Sequence, residues 1–271
     1  MTKEELIIQI RKKSSFLCVG LDTDTDKIPR HILKSKDPVF EFNKAIIDAT
    51  ADLCIAYKPN LAFYEKSGPK GLESLKKTVD YIPKGVFKIA DAKRGDIGNT
   101  SQMYADAFFN FYGFDALTIS PYMGKDSIDP FLSFKDKWTI LLALTSNQGS
   151  SDFQMSRLDS GEKLYEKVIR TTSMWAGPEQ LMYVVGATKA EYITGIRKMI
   201  PDHFLLVPGI GAQGGDLENV VKNGLNKDVG LIINASRNII YASDDYDFDK
   251  AAKREAGALR EKMRILLENL M

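Results

Sequence analysis

Histidine and cysteine are nearly absent from the 271-residue chain, with two of each, and their scarcity removes whole classes of chemistry. His31 and His203 leave almost no material for a multi-histidine metal centre or a Ser-His-Asp triad. Cys18 and Cys54 have neither CxxC nor metal-ligand spacing, fall in two predicted strands, and read as core packing in a reducing compartment. Charge of one sign is lacking too. Lys and Arg total 37 against 36 for Asp and Glu, a formal +1, which gives no long-range field to gather nucleic acid or an anionic membrane. No apolar run approaches the ~18–20 residues that cross a bilayer, and residues 1–15 are charged and amphipathic rather than a secretory signal. A cytoplasmic protein with no nucleic-acid or membrane partner is therefore expected. Linkers, low-complexity tracts and short repeats are missing as well, so residues 1–271 are expected to form a single domain.

What the chain does contain is alternation. Short β-rich apolar runs at 16–21, 53–58, 85–90, 116–119, 139–144, 182–185, 204–207 and 229–233 read as eight strands. Helical spacing fills 38–52, 71–81, 99–112, 161–176, 189–199, 214–223 and 249–270. Near-continuous apolar strands are buried on both faces, as in a parallel sheet covered by helices. Eight βα units point to an α/β fold of the closed (β/α)₈ TIM-barrel type. A doubly wound open sheet is the alternative, but it has fewer strands as a rule, and no GxGxxG follows the first strand. The polar loop 148–159 could be a mobile lid.

In such a barrel chemistry gathers at the C-terminal ends of the strands. The first run ends in Asp22, the second in Lys58-Pro59-Asn60, and the third in Asp91-Ala92-Lys93-Arg94-Gly95-Asp96. Strand alternation would turn Asp91 and Lys93 to the same side. Alone they could be a structural ion pair. With Asp22, Lys58 and Asp96 around one mouth they form an alternating charge network, costly to desolvate unless function requires it. Crowded carboxylates keep a lysine protonated, ready to deliver its proton to a developing carbanion. Across the mouth, Pro208-Gly209-Ile210-Gly211-Ala212-Gln213-Gly214 and Asn234-Ala235-Ser236-Arg237 follow the last two strands, the usual phosphate site of this architecture. A glycine-rich turn is weak evidence alone, and Arg237 adds a bidentate anion clamp. Thr145-Ser146-Asn147-Gln148-Gly149 could hydrogen-bond a flat, amide-bearing ligand.

The run from Asp91 through Lys93-Arg94-Gly95-Asp96-Ile97 to Thr100 resembles the DxKRxDI signature of the orotidine 5′-phosphate decarboxylase family, in its longer bacterial branch. Val19-Gly20-Leu21-Asp22, Lys58-Pro59-Asn60, residues 208–214 and Ser236-Arg237-Asn238-Ile239-Ile240-Tyr241 extend the likeness over most of the chain. The resemblance implies cofactor-free, metal-free conversion of orotidine 5′-monophosphate to uridine 5′-monophosphate and CO₂, the last step of UMP synthesis. It implies that Lys93 donates a proton to C6, that Asp91 lies beside the departing carboxylate, and that Lys58 completes the charge chain. Asp22 and Lys58 would meet the ribose, Ser146 the pyrimidine, and Gln213 and Arg237 the phosphate, with backbone help near Pro208, Gly211 and Gly214. Asp96, Ile97 and Thr100 would reach the neighbouring subunit's site in a homodimer. Tyr241 is read as packing. The chain departs from the family at Asn147-Gln148-Gly149, where a proline often precedes the glycine, and residues 150–181 are longer than in compact members. Two other readings remain: a Mg²⁺-dependent sugar-phosphate lyase or decarboxylase of the same barrel superfamily, and a non-catalytic regulator that binds nucleotide phosphate.

Overall fold

A computed structural model describes residues 1–210 and 215–270. The expected phosphate residues Gly211, Gln213 and Gly214 lie outside the described residues. Eight parallel strands, β1 (Leu17–Leu21), β2 (Ala56–Pro59), β3 (Phe87–Arg94), β4 (Ala116–Ile119), β5 (Trp138–Leu144), β6 (Leu181–Val185), β7 (Phe204–Pro208) and β8 (Leu231–Ala235), pair in sequence order. β8 returns to β1, with Leu17 opposite Ile233, and the barrel closes. Around it run α1 (Lys3–Lys13), α2 (Pro38–Thr50), α3 (Leu61–Glu65), α4 (Gly68–Tyr81), α5 (Gly98–Asp106), α6 (Lys125–Leu132), α7 (Leu164–Thr172), α8 (Ala190–Met199), α9 (Leu217–Gly224), α10 (Arg237–Ile240) and α11 (Phe248–Leu270). No helix of the described residues is long and apolar enough to cross a membrane.

Helix starts follow local chemistry. Thr2 Oγ1 accepts the Glu5 N–H while Glu5 returns a carboxylate to the Thr2 N–H, a reciprocal cap on α1. Asp37 caps α2 ahead of Pro38, whose missing N–H costs nothing in the first turn. Every residue of β1, β2, β4, β6 and β8 is buried, because one face fills the barrel and the other lies under helices. At the N-terminal end, the first residues of alternate strands, Phe87, Trp138 and Phe204, pack edge to face at 6.3 and 6.4 Å. Residues on non-adjacent strands can meet only inside the barrel, so these rings plug its floor.

Local details depart from the sequence reading. β2 begins at Ala56 rather than at 53 because side chains take the preceding carbonyls. Ser15 Oγ donates to the Leu53 carbonyl at 2.7 Å, and Lys13 Nζ donates to that of Cys54 at 2.8 Å. Cys54 thus precedes the strand; both cysteines are free and buried. α6 was not expected, since Gly124 and Pro130 interrupt its pattern; Gly124 takes φ +93° at the helix entry, and Pro130 is carried inside the helix. α5 continues into a π-helical turn, Ala107–Phe111.

Candidate active site

β2 and β3 carry the charged arm of the mouth. Lys58 Nζ lies 2.6 Å from Asp91 Oδ2, and Lys93 Nζ lies 2.5 Å from Asp91 Oδ1, so one carboxylate bridges two ammonium groups. Burial differs along this chain: the Lys58 side chain is 4% exposed and that of Lys93 is 50% exposed. The first is a fixed charge; the second can reach a ligand. Burial works against the Lys58 ammonium, yet Asp91 and Asp22 outweigh it and raise the pKa. Burial likewise opposes the Asp91 carboxylate, and the two lysines overcome it, holding the group well below the usual carboxylate range. The carboxylate therefore stays ionised throughout the neutral range. Asp22 follows β1 and faces the same space, with a buried Oδ1 that has no protein partner among the described residues.

The convergence of Asp91 and Lys93 does not come from strand alternation, as the sequence suggested. Ala90 pairs with Leu117 and Arg94 with Ile119, so β3 carries two more residues than β4 across this stretch. Lys93 takes a left-handed backbone, φ +48°, a conformation that costs a side-chain-bearing residue about 1–2 kcal/mol. A bulge, held from outside, aims these groups.

The opposite arm comes from β7, β8 and α10. Pro208, Asn234, Ser236 and Arg237 line a cavity of about 180 Å³ together with Asp22, Lys58, Asn60 and Asp91. Arg237 opens α10, is exposed, and makes no ion pair among the described residues. β1 passes close to this arm: a Cβ on Gly20 would stand 1.8 Å from Ser236 Oγ, so no larger residue fits without displacing the Ser236 side chain. Tyr241 does more than pack. Its ring stacks on Phe42, while its hydroxyl donates to the Asp22 carbonyl at 2.9 Å and accepts the Asp24 N–H at 2.6 Å. A larger cleft, about 690 Å³, lies beyond Tyr241 between residues 26–31 and 243–246 and lacks the lysine–aspartate chain.

Five expected site residues stand apart from the cavity lining: Lys93, tied to it through Asp91, and Asp96, Ile97, Thr100 and Ser146. Asp96 pairs with no lysine among the described residues; its Oδ1 accepts the Ile97 N–H at 2.8 Å. Ile97 and Thr100 are exposed at the start of α5. Ser146 follows β5, and its carbonyl accepts from Thr188 Oγ1 at 3.4 Å. A Cβ on Gly186 would come within 2.6 Å of the Ser146 Cβ, so glycine there lets the loops after β5 and β6 meet. Three residues were not singled out. Asn60 forms a bridge with Asp91 and was visible only as the end of a strand. Asn234 is buried beside the cavity, and its Oδ1 has no partner among the described residues. Thr118 carried no sequence signal at all. Among the described residues no group of three His, Cys, Asp or Glu could hold a metal ion.

Residues 15–251 match the Orotidine 5′-phosphate decarboxylase / HUMPS family. The chain belongs to that family. It is 61% identical to the orotidine 5′-phosphate decarboxylase of Christiangramia forsetii, with all of both chains covered. It is 58% identical to that of Phocaeicola vulgatus, covering 100% of this chain and 99% of the relative. Among solved structures, the OMP decarboxylase of Leishmania donovani superposes with a TM-score of 0.81 at 36% identity, covering 96% of this chain and 99% of that one. The orotidine 5′-phosphate decarboxylase fold is thus kept over nearly the whole length, and the activity is a carboxy-lyase activity of pyrimidine biosynthesis.

Proposed function

We propose that this decarboxylase acts on orotidine 5′-monophosphate with Lys93 as the proton donor and with Asp91, Lys58 and the opposite arm as its supports. One observation carries the reading: a half-exposed ammonium and a buried one share the Asp91 carboxylate, and that carboxylate and the buried Lys58 line one cavity with Arg237. In the reaction the bond from C6 to the carboxyl carbon breaks, CO₂ departs, and its electron pair remains on C6. The Lys93 ammonium gives its proton to that pair and is later reprotonated from water. The ring offers the pair little resonance relief, so the barrier is lowered mainly by charges already in place. Lys58 fixes Asp91, Asp91 fixes Lys93, and the developing anion meets an ammonium that need not reorient. Asp91 beside the substrate carboxylate would also disfavour the ground state once water is excluded, a smaller and contested effect.

Asp22 and Lys58 would take ribose hydroxyls, and the Asp22 Oδ1, without a partner among the described residues, supports this. Arg237 would hold the phosphate, with Gln213 and backbone groups at Pro208, Gly211 and Gly214, so that remote binding energy contributes to turnover. Ser146 is assigned the pyrimidine edge. The loop at 148–159 could close over it; Gln154 already ties it to Thr145 through bonds of 2.8 and 2.9 Å. We further propose a homodimer in which Asp96, Ile97 and Thr100 complete the neighbouring site. Exposed apolar side chains near that edge support it: Ile97 is 58% exposed, Met103 54% and Tyr122 90%. One domain and a cytoplasmic location complete the proposal.

The test is direct. Purified protein mixed with orotidine 5′-monophosphate should remove the orotate absorbance, and Lys93→Ala should abolish turnover without loss of fold. Near-normal activity in folded Lys93→Ala would reject the proton-donor role.

A further inference from the structure

The bulge between Ala90 and Arg94 is held by one side chain from the neighbouring strand. Thr118 on β4 is 1% exposed. Its Oγ1 accepts two consecutive backbone N–H groups, from Ala92 at 3.0 Å and from Lys93 at 2.9 Å. With both lone pairs engaged, its hydroxyl hydrogen can go to the Ala90 carbonyl at 3.4 Å or to Asp91 Oδ1 at 3.3 Å. The carboxylate is the nearer acceptor and the charged one, and it wins. A threonine that merely packed would need none of these contacts.

We propose that Thr118 is a positioning residue for the decarboxylation. One hydroxyl stabilises the left-handed backbone of Lys93 and orients the Asp91 carboxylate between the two ammonium groups. The strain at Lys93 persists because Thr118 Oγ1 is the acceptor for its N–H and for that of the preceding residue. Without the hydroxyl the bulge relaxes, and the Lys93 ammonium leaves its place by a fraction of an ångström to an ångström. Misplacement of that size can cost about 10²-fold in rate. The phosphate and ribose groups sit on other strands, so binding is affected little.

The inference rests on the proton-donor reading of Lys93, and the experiment separates the two. Thr118→Val keeps the shape and removes both the acceptor and the donor; Thr118→Ser restores them. For each variant and for Lys93→Ala, kcat and KM are measured with orotidine 5′-monophosphate, and folding is checked by thermal melting and by titration with UMP. The expected result is a kcat lowered about 10²-fold in Thr118→Val, KM within a few-fold of the parent, and kcat largely recovered in Thr118→Ser. Folded Thr118→Val with parental kcat, or Thr118→Ser no better than valine, overturns the role of Thr118 even when Lys93→Ala is dead. An active Lys93→Ala overturns the parent reading instead. If the valine variant does not fold, Thr118→Cys replaces it, since sulfur is a weak acceptor: a clear fall in kcat at constant KM supports the proposal, and parental kcat defeats it.

Discussion

Protonation of His203 should unlock the barrel floor. The residue immediately precedes β7, is 7% exposed, and neither ring nitrogen has a hydrogen-bond partner among the described residues. Burial, then the nearby Arg197 and Lys3 charges, push its pKa down to about 4, and Glu179 and Asp202 offset this only in part. A folded-state pKa below the unfolded value means that the unfolded chain binds the proton first. The neutral ring therefore costs no stability above about pH 6.5, and stability is lost as pH falls from there toward 4. With these two values the loss is about 2 kcal/mol at pH 5 and approaches about 3 kcal/mol below pH 4. Urea denaturation at pH 7 and pH 5 reads it, with His203→Phe as the control, because a non-titrating ring should shrink the difference by about 2 kcal/mol. Equal losses in the parent and in His203→Phe would refute the reasoning, since the proton would then be going elsewhere.

Two further outcomes follow from other contacts. Buried Arg197 donates to the carbonyls of Gly224 and Gly230 at 2.9 Å and of His203 at 2.6 Å, joining the ends of α8 and α9 to the starts of β7 and β8. Arg197→Met should cost about 1–3 kcal/mol for each buried carbonyl left unpaired, read in urea unfolding, and leave kcat per folded molecule unchanged, because the residue sits at the end away from the mouth. Arg237→Ala should lower kcat/KM by at least about 10²-fold, the scale of a lost charged hydrogen-bond pair, and added guanidinium should restore part of it in a steady-state assay. Absence of rescue would argue against a phosphate clamp at that position.

The strands were legible in the sequence because each is buried on both faces, and few other segments are so uniformly apolar. Asp22, Lys58 and Asp91 were legible because a charge directly after such a run stands out. α6 was hidden by Pro130, whose cost is absorbed by packing that no local pattern reports. The geometry of Lys93 was hidden for a different reason. Its φ depends on a hydroxyl 25 positions away on the next strand, and alternation along β3 could not foresee a bulge. Tyr241 looked like packing because an aromatic ring announces its area, while the two bonds of its hydroxyl appear only when the chain has closed on itself. Gly211, Gln213 and Gly214 fall outside the described residues.

Ring closure has a consequence for how activity arises in time. The Tyr241 hydroxyl fastens residues 217 and 219 positions earlier in the chain, and β1 finds its second neighbour only in β8. The charged arm on β2 and β3 and the opposite arm on β7, β8 and α10 thus come from distant parts of the polypeptide. A nascent chain halted before its eighth strand can build the lysine–aspartate triplet, yet it lacks Asn234, Ser236 and Arg237 opposite it and has an untethered first loop. Competence arrives with the final strand, as a single late event.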